Sequence, residues 1–507
     1  MKAETATITI PVTALEMWGD KDIELESTLA DYLPNINRII RADADLTCED
    51  IQISGNKAEV NGKAVFTLLY QSDFKDKLCH ERFSTDFVQK FDLRDLPEGD
   101  VFPKAAAKCS YVGCKTLNPR RFILRCRADV KLELKCMQKL QAVSAEDCKG
   151  AFFKTEKREI AVYCPDILRD FKCEESLGLE TMPPIGEIIY TSLDFSAPEI
   201  SKSDGSALIR SEACFKCLYE TEEENTPPQM RCRRFPAVFT VDDELIKDDS
   251  KLFASLGARG IEAEKDIDAY GENRVIQLSY GARLCIGCIN RKELCVPTDM
   301  FFTEYNCEGK CQAIPYEAPA ERLRHRLTLD KIVEGEMNVD SCIDANADLC
   351  IDEATPCPEG INVKGNCNVN VFGVGGEGYR AKDFKIPFSE TLPFKLEGKD
   401  CEIDTTVLAS TATAEIVGGR LALRISAELA LDVSYKEKLC FLSSADIEKR
   451  SGVDEDKCVI IYYPQKGECA WDIAKRYYID PKTLRENNAA VFDKNDKVAD
   501  SGTIIYM

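Results

Sequence analysis

Histidine is nearly absent from this chain, which limits the catalytic chemistry that we expect from it. Only His80 and His325 occur among 507 residues. His80 lies in a polar connection and His325 lies among three arginines, so neither has the orienting partner that a serine or cysteine triad needs. The sequence also lacks the Gly-x-x-x-x-Gly-Lys-Ser/Thr loop that cradles phosphates. We therefore expect a protein that is not an enzyme and that carries no cofactor.

Long apolar runs and clustered positive charge are missing as well. No uninterrupted apolar run is long enough to span a bilayer, and the N-terminus has no apolar segment of signal-peptide length. We expect no membrane insertion and a protein that is made and kept in the cytoplasm. The net charge of -22 argues against nucleic acid or an anionic membrane surface as a partner. The excess of negative charge lies in residues 1–457, because residues 458–507 carry seven Lys/Arg and seven Asp/Glu.

Cysteine is abundant, and its pattern favours reduced thiols. Disulfide frameworks are typical of small secreted chains, whereas this chain is long, has 25 cysteines and shows no export signal. Two Cys-x-x-Cys pairs, Cys214–Cys217 and Cys285–Cys288, have zinc-ligand spacing. Residues three apart on a strand point to opposite faces, so we favour small buried apolar residues over metal ligands. The pair Cys307–Cys311 has no matching second pair and stays open as a zinc candidate.

A glycine-rich segment, Gly373–Gly378, has the spacing of a dinucleotide-binding loop. That loop works only when a helix follows and offers its N-terminus to the pyrophosphate. The residues that follow, Tyr379–Phe388, do not predict a helix. We interpret the segment as a hairpin turn.

Three segments alternate between apolar and mostly polar residues at an offset of about 150 residues. A period of two over thirteen residues predicts a long strand with one buried face. Turn residues precede each segment. The chain therefore predicts a mainly β fold with three repeated β-rich modules, whose long strands cover Leu124–Cys136, Ile276–Cys288 and Leu423–Tyr435.

The last fifty residues differ from the rest and predict a small α+β module of strand, helix, helix and strand. The first helix is expected after Gly467, with Ala470, Ile473, Ala474 and Tyr477 on its buried side. The second is expected to begin with Asp480 as N-cap and Pro481 at its first position. For Trp471 we favour a core position over a binding platform.

These features resemble known families. The C-terminal segment resembles a LysM module, on the residues Tyr463–Glu468, Trp471–Tyr478, Pro481–Asn488 and Gly502–Tyr506. The repeated modules resemble the SPOCS domain of spore-forming bacteria, on Val60–Tyr70 and Ile386–Glu390. SPOCS repeats followed by a LysM module are similar to the SipL-type spore coat morphogenetic proteins. The implied domains are SPOCS-like modules at residues 1–140, 141–292 and 293–457, and a LysM domain at residues 458–507.

The resemblance implies a structural adaptor in endospore coat assembly. It would work from the mother-cell cytoplasm, at the forespore surface or in the spore coat, and its LysM module would contact a morphogenetic ATPase of the stage IV sporulation protein A type. The groove implied for a partner or a glycan is formed by Lys466, Gly467, Glu468, Cys469, Ala470, Asn487, Asn488 and Ala489. Cys469 replaces a threonine that is usual in the family, and a thiol is a weaker hydrogen-bond partner than a hydroxyl. The alternative is a cell-wall targeting protein that binds peptidoglycan or N-acetylglucosamine polymers.

Overall fold

A computed structural model describes most of the chain. The residues described are 2–74, 77–94, 96–179, 182–203, 205–223, 226–318, 321–333, 337–376, 378–395, 401–450, 461–493, 496–498 and 505–506. Strands account for 78% of the structure and helices for 3%. The prediction of a mainly β protein is therefore confirmed.

The described residues contain 23 strands and two helices. In chain order they are β1 (Thr5–Thr28), β2 (Ile36–Ser54), β3 (Lys57–Ser72), β4 (Leu78–Asp92), β5 (Gly99–Thr116), β6 (Arg121–Val143), β7 (Ala151–Tyr163), β8 (Ile167–Gly178), β9 (Ile185–Phe195), β10 (Glu199–Ser203), β11 (Ser206–Thr221), β12 (Gln229–Asp242), β13 (Lys251–Ile267), β14 (Asn273–Phe302), β15 (Tyr305–Glu317), β16 (Glu321–Val333), β17 (Ser341–Cys357), β18 (Gly360–Gly375), β19 (Gly378–Pro393), β20 (Cys401–Val417), β21 (Arg420–Lys449), β22 (Ile461–Tyr462), α1 (Ala470–Tyr477), α2 (Pro481–Asn487) and β23 (Ile505–Tyr506).

Three antiparallel sheets share one plan, in which a central strand pairs with the strands before and after it. Their orders are β2-β3-β4, then β11 between β12 and the pair β9 and β10, then β17-β18-β19. The edge strand of the second sheet is split where Pro198 interrupts it, because proline has no N–H to donate to the ladder. The predicted hairpin at Gly373–Gly378 is confirmed, since Gly375 pairs with Gly378 at the turn between β18 and β19.

Three further sheets are built around the long strands β6, β14 and β21. These strands contain the three alternating segments of the sequence and extend beyond them. In its first part, each long strand packs its apolar face against one of the first three sheets. The three resulting sandwich cores contain, among others, Phe66, Tyr70, Phe122 and Leu124; Phe215, Tyr219, Ile276 and Leu284; and Val369, Phe388, Ile425 and Leu431. Burial of each such side chain contributes about 1.5–3 kcal/mol.

The last part of each long strand joins a shared central hub. There β6 pairs with the start of β1, β14 with β7, and β21 with β15. These three strand pairs pack against one another and bury a shared set of side chains, which includes Ile10, Ala142, Ile160, Leu294, Val296, Tyr316, Leu439 and Phe441. Each long strand thus runs without a break from its own sandwich into the hub.

A second junction joins the first three sheets. Leu69, Leu218 and Phe372 occupy matching positions on the central strands β3, β11 and β18 and share one apolar cluster. The residues paired with them across the ladder are Arg41, Tyr190 and Asp344. Apolar and polar side chains of all three sheets therefore meet at this junction.

Two glycines of the central strands make room for phenylalanine rings. A Cβ on Gly62 would lie 2.4 Å from a ring carbon of Phe87. A Cβ on Gly365 would lie 2.1 Å from the carbonyl oxygen of Cys350 and 2.9 Å from the ring of Phe388. At both positions any larger residue must displace the ring or the neighbouring strand.

We expect the substitution Gly365→Ala to destabilise the protein by about 1–3 kcal/mol, because overpacking forces off-rotamer side chains and backbone shifts. Urea denaturation followed by circular dichroism measures the effect. The matched control is Gly257→Ala in β13, where a Cβ meets nothing within 4 Å. Equal midpoints for the two variants would contradict the close packing at Gly365.

Candidate functional site

The C-terminal module consists of two short helices between two short strands. β22 and β23 pair antiparallel, with Ile461 opposite Tyr506. The first helix, α1, begins with Cys469 at the N-cap, whose thiol makes no capping hydrogen bond. The second, α2, begins as the sequence predicts: Asp480 accepts a hydrogen bond from the Lys482 amide, and Pro481 occupies the first turn. The helix starts are therefore predicted correctly, although only one of them is capped by a side chain.

The loop before α1 is held by the carboxylate of Glu468. This group accepts hydrogen bonds from the Tyr462 hydroxyl at 2.9 Å and from the Gln465 amide at 3.2 Å. It also forms an ion pair with Arg476 at 3.0 Å. Desolvation and the neighbouring Glu468 raise the pKa of the Tyr462 phenol. Gly467 has a φ of +81°, a conformation that glycine adopts without strain.

A short segment, residues 496–498, connects the two predicted groove loops. The amides of Gly467 and Ala470 donate to the carbonyls of Val498 and Asp496, at 3.0 and 2.9 Å. On its other side, Val498 forms a bridge with Phe492, which follows the second loop. Arg485 in α2 forms an ion pair with Asp496 at 2.7 Å. The two loops are thus tied together through this segment.

The predicted groove residues differ in how accessible they are. Ala470 is fully buried, and Asn488 is only 4% exposed, with its side-chain amide donating to the Leu484 carbonyl at 2.9 Å. Glu468 and Cys469 are half-buried. The residues that remain exposed to a partner are Lys466, Gly467, Asn487 and Ala489.

Tyr463 was not predicted from the sequence to bind a partner, although this residue is 66% exposed just before the first loop. A large exposed aromatic side chain beside polar loops is a common anchor for binding partners. Its position between a strand and a loop glycine is the signal that could have identified it.

The module packs against the end of β14 through Trp471. The indole N–H donates to Asp299 Oδ2 at 2.8 Å, and Lys475 Nζ lies 2.5 Å from Asp299 Oδ1. The indole also meets the ring of Phe301 edge to face, with 5.1 Å between centroids. Trp471 is 7% exposed, so the core position favoured by the sequence is confirmed. The core that it enters is shared with β14, which the sequence pattern did not indicate.

A second contact fixes the other end of α1. The Tyr478 hydroxyl donates to Asn306 Oδ1 at 3.0 Å, and the Arg450 guanidinium lies 4.1 Å from the centre of the Tyr478 ring. Together with Trp471, these residues set the orientation of the module relative to the hub.

A buried polar cluster lies at the junction of the first three sheets. Asp344 accepts from Lys216 at 3.0 Å and from Arg41 at 3.5 Å, and Arg41 also pairs with Asp43 at 2.6 Å. Burial opposes the charge on Arg41, but the neighbouring carboxylates raise its pKa. The adjacent cavity measures about 10 Å³, which is room for about one water molecule. The geometry favours a structural role.

No known family model, no curated protein and no solved structure matches this chain.

The remaining sequence motifs are placed as follows. Cys217 and Cys288 are buried in strands, whereas Cys214 and Cys285 point to the opposite face. Within the described ranges no group of His, Cys, Asp or Glu has the geometry to hold a metal ion.

Neither of the two helices seen in the described part of the chain is long and apolar enough to cross a membrane.

We expect Asp299→Ala to loosen the C-terminal module, because the indole N–H of Trp471 and the Lys475 ammonium both lose their partner. An unsatisfied buried donor costs about 1–3 kcal/mol. The chain has two tryptophans, so a Trp18→Phe background leaves Trp471 as the only one, which is excited selectively at wavelengths that the 17 tyrosines do not absorb. The emission should shift to the red and become more accessible to acrylamide.

The control is Asp472→Ala, which removes an exposed carboxylate from the same helix. Unchanged emission in the Asp299 variant would show that the shared apolar core alone holds the module.

His80 predicts a pH dependence of stability. Burial, followed by the charges of Arg82 and Arg41, lowers its pKa from 6.5 to about 3. The unfolded chain therefore takes up a proton first, so stability that is complete above pH 6.5 is lost progressively as the pH falls towards 3. We expect His80→Gln to remove at most about 2.7 kcal/mol of the loss between pH 6.5 and 4.5, measured by urea denaturation.

Burial raises the pKa of the Asp43 carboxyl, so this group favours the folded chain as the pH falls. Its effect is the same in the parent protein and in His80→Gln. The control Ser84→Ala changes an exposed, uncharged residue of the same strand, so it should retain the pH dependence of the parent protein. A parallel loss of stability in the parent and in His80→Gln would contradict the assignment.

Proposed function

We propose that this chain is a non-enzymatic adaptor of the SipL type in endospore coat assembly. In this proposal, residues 1–140, 141–292 and 293–457 are SPOCS-like modules, and residues 458–507 are a LysM domain. The domain would dock onto a spore morphogenetic ATPase of the stage IV sporulation protein A type, from the mother-cell cytoplasm at the forespore surface. The chain would remain associated with the spore coat.

The observation that carries the proposal is the pair of accessible loops on a strand-helix-helix-strand module that is fixed to a large β body. The body buries its apolar surface in three sandwiches and a hub. The module leaves exposed the loop residues Lys466 and Asn487, while Trp471 and Lys475 are engaged with the body. Such an arrangement presents a small binding surface in a defined orientation, which suits an adaptor.

The chemistry of the loops favours a protein partner over a sugar. Acetylated sugars are bound by amides and small hydroxyls, whereas the N-cap position here is a thiol and the amide of Asn488 is used within the module. The exposed groups around the loops include Lys466 and the Arg485–Asp496 ion pair. Charged groups around an aromatic side chain such as Tyr463 are typical of the rim and anchor of a protein interface.

Tyr463 also favours the alternative, in which the module binds peptidoglycan or N-acetylglucosamine polymers. Its exposed ring lies beside the first loop, where the face of a sugar ring would stack. A direct comparison of the two ligands therefore decides between the proposals.

The test measures binding of the purified full-length chain to the purified ATPase and, separately, to peptidoglycan by sedimentation. We expect binding to the ATPase, weakened roughly tenfold by Lys466→Glu, because reversing a charge at the interface opposes a complementary surface. Asn487→Ala should weaken binding as well. Both residues are exposed, so neither change disturbs the core.

The matched control is Lys482→Glu, an exposed lysine at the opposite end of α2 from Asn487. Its affinity for the ATPase should equal that of the parent chain. Sedimentation with peptidoglycan, lost in Lys466→Glu, together with no retention of the ATPase, would replace the adaptor proposal with the cell-wall alternative.

A further inference from the structure

Two cysteines meet on the solvent-facing side of the second sheet. Cys214 lies on β11 and Cys232 on the neighbouring strand β12. Cys214 is paired with Arg234 and Cys232 with Lys216, so the cysteines are diagonal neighbours across the ladder. Their sulfur atoms are 2.8 Å apart. This separation is less than 1 Å longer than a disulfide bond.

We propose that Cys214 and Cys232 form a peroxide-reactive dithiol site, in which Cys232 is the attacking thiol and Cys214 is the resolving thiol. Peroxide oxidation would join β11 to β12 by a disulfide. The chemistry is independent of the partner that the C-terminal module binds.

The electrostatics assign the two roles. The hydrogen bond from Cys214, assisted by Arg234 and more weakly by Lys216, lowers the pKa of Cys232 to about 6. The same contact, together with burial, raises the pKa of Cys214. At neutral pH the negative charge therefore resides on Cys232 and the proton on Cys214.

Other charged groups face the pair from neighbouring strands. Asp194 on β9 lies opposite Cys214 across the ladder. The ammonium of Lys216 is shared with Asp344 of β17, and Arg234 pairs with Glu212 at 3.5 Å. Arg234 thus supplies the main positive charge beside the two sulfur atoms.

The reaction balances in two steps. The Cys232 thiolate attacks one oxygen of hydrogen peroxide, and with one proton this gives Cys232 sulfenic acid and one water. The Cys214 thiol then attacks the sulfenic sulfur, which forms the disulfide and releases a second water. The two thiols lose two electrons in total, and the peroxide takes them up.

Two other thiol pairs in the described part of the chain provide an internal comparison. Cys109 hydrogen-bonds with Cys126, and Cys164 with Cys288. Cys126 and Cys288 are each only 2% exposed, within apolar cores. Their partners are half-buried, whereas Cys232 is exposed. Peroxide reaches Cys232 most easily, so the proposal is confined to the pair on β11 and β12.

The test treats the full-length reduced chain with hydrogen peroxide, blocks the remaining thiols and digests with trypsin. We expect residues 211–216 linked to residues 232–233 by mass spectrometry. Cleavage after Lys216 separates Cys214 from Cys217, so this product identifies the pair. In Cys214→Ser the reaction should stop at a sulfenic acid on Cys232 that dimedone traps, and in Cys232→Ser both products should be lost.

A second measurement is the rate at which each thiol reacts with dithiodipyridine at pH 7. A fall in pKa from 9.0 to about 6 raises the thiolate fraction about ninetyfold, while the lower basicity reduces nucleophilicity about twentyfold. Cys232 should therefore react roughly fivefold faster than a thiol of ordinary pKa, and also faster than the exposed Cys295 on β14. Arg234→Gln should reduce this advantage, and Cys214→Ala, which removes the main hydrogen-bond donor, should remove most of it.

The control Cys295→Ser should leave the cross-link unchanged, and circular dichroism of each variant checks the fold. The proposal is overturned if folded parent protein gives no 211–216 to 232–233 product. It is equally overturned if Cys232 reacts no faster than Cys295.

Discussion

The continuous pairing of three long strands is the constraint on which the other parts of the structure depend. β14 and β21 each run for 30 residues, and each pairs in its first part within a sandwich and in its last part within the hub. A slip of one residue would move every apolar side chain to the opposite face. The sandwich and the hub therefore share one register, and the three sheet units are positioned by the backbone itself.

Apolar contacts and ion pairs have different effects where the first three sheets meet. Leu69, Leu218 and Phe372 contribute stability in proportion to the area that they bury. The ion pairs of Arg41 and Lys216 with Asp344 lose hydration on burial, so they add little net free energy. Each charge nevertheless needs its partner, and this requirement favours one arrangement of the sheets over others.

The sequence predicts the strands well and the contacts between units poorly. The period of two identified parts of β6, β14 and β21, and Asp480 with Pro481 identified the start of α2. The same period cannot show where a strand leaves one sheet for another, because both partners demand the same alternation. The sequence pattern also gives no indication of the role of Asp299, because its partner Trp471 lies 172 residues away along the chain. The positions of the loops before α1 and after α2 follow from the predicted helices, but the burial of Asn488 depends on the packing of α2.

The attachment of the C-terminal module follows from the alternation of side chains at the end of β14. Met300 and Phe302 face an apolar cluster that they share with Val143 and Leu442 of the other two long strands, whereas Phe301 between them faces Trp471. One strand therefore serves two cores, and movement of the module relative to the hub would require Phe301 to leave its neighbours. The loops that carry Lys466 and Asn487 consequently keep a defined orientation relative to the three sheet units. A partner bound at these loops would meet the β body at a fixed angle, which is the property that an adaptor in an ordered assembly needs.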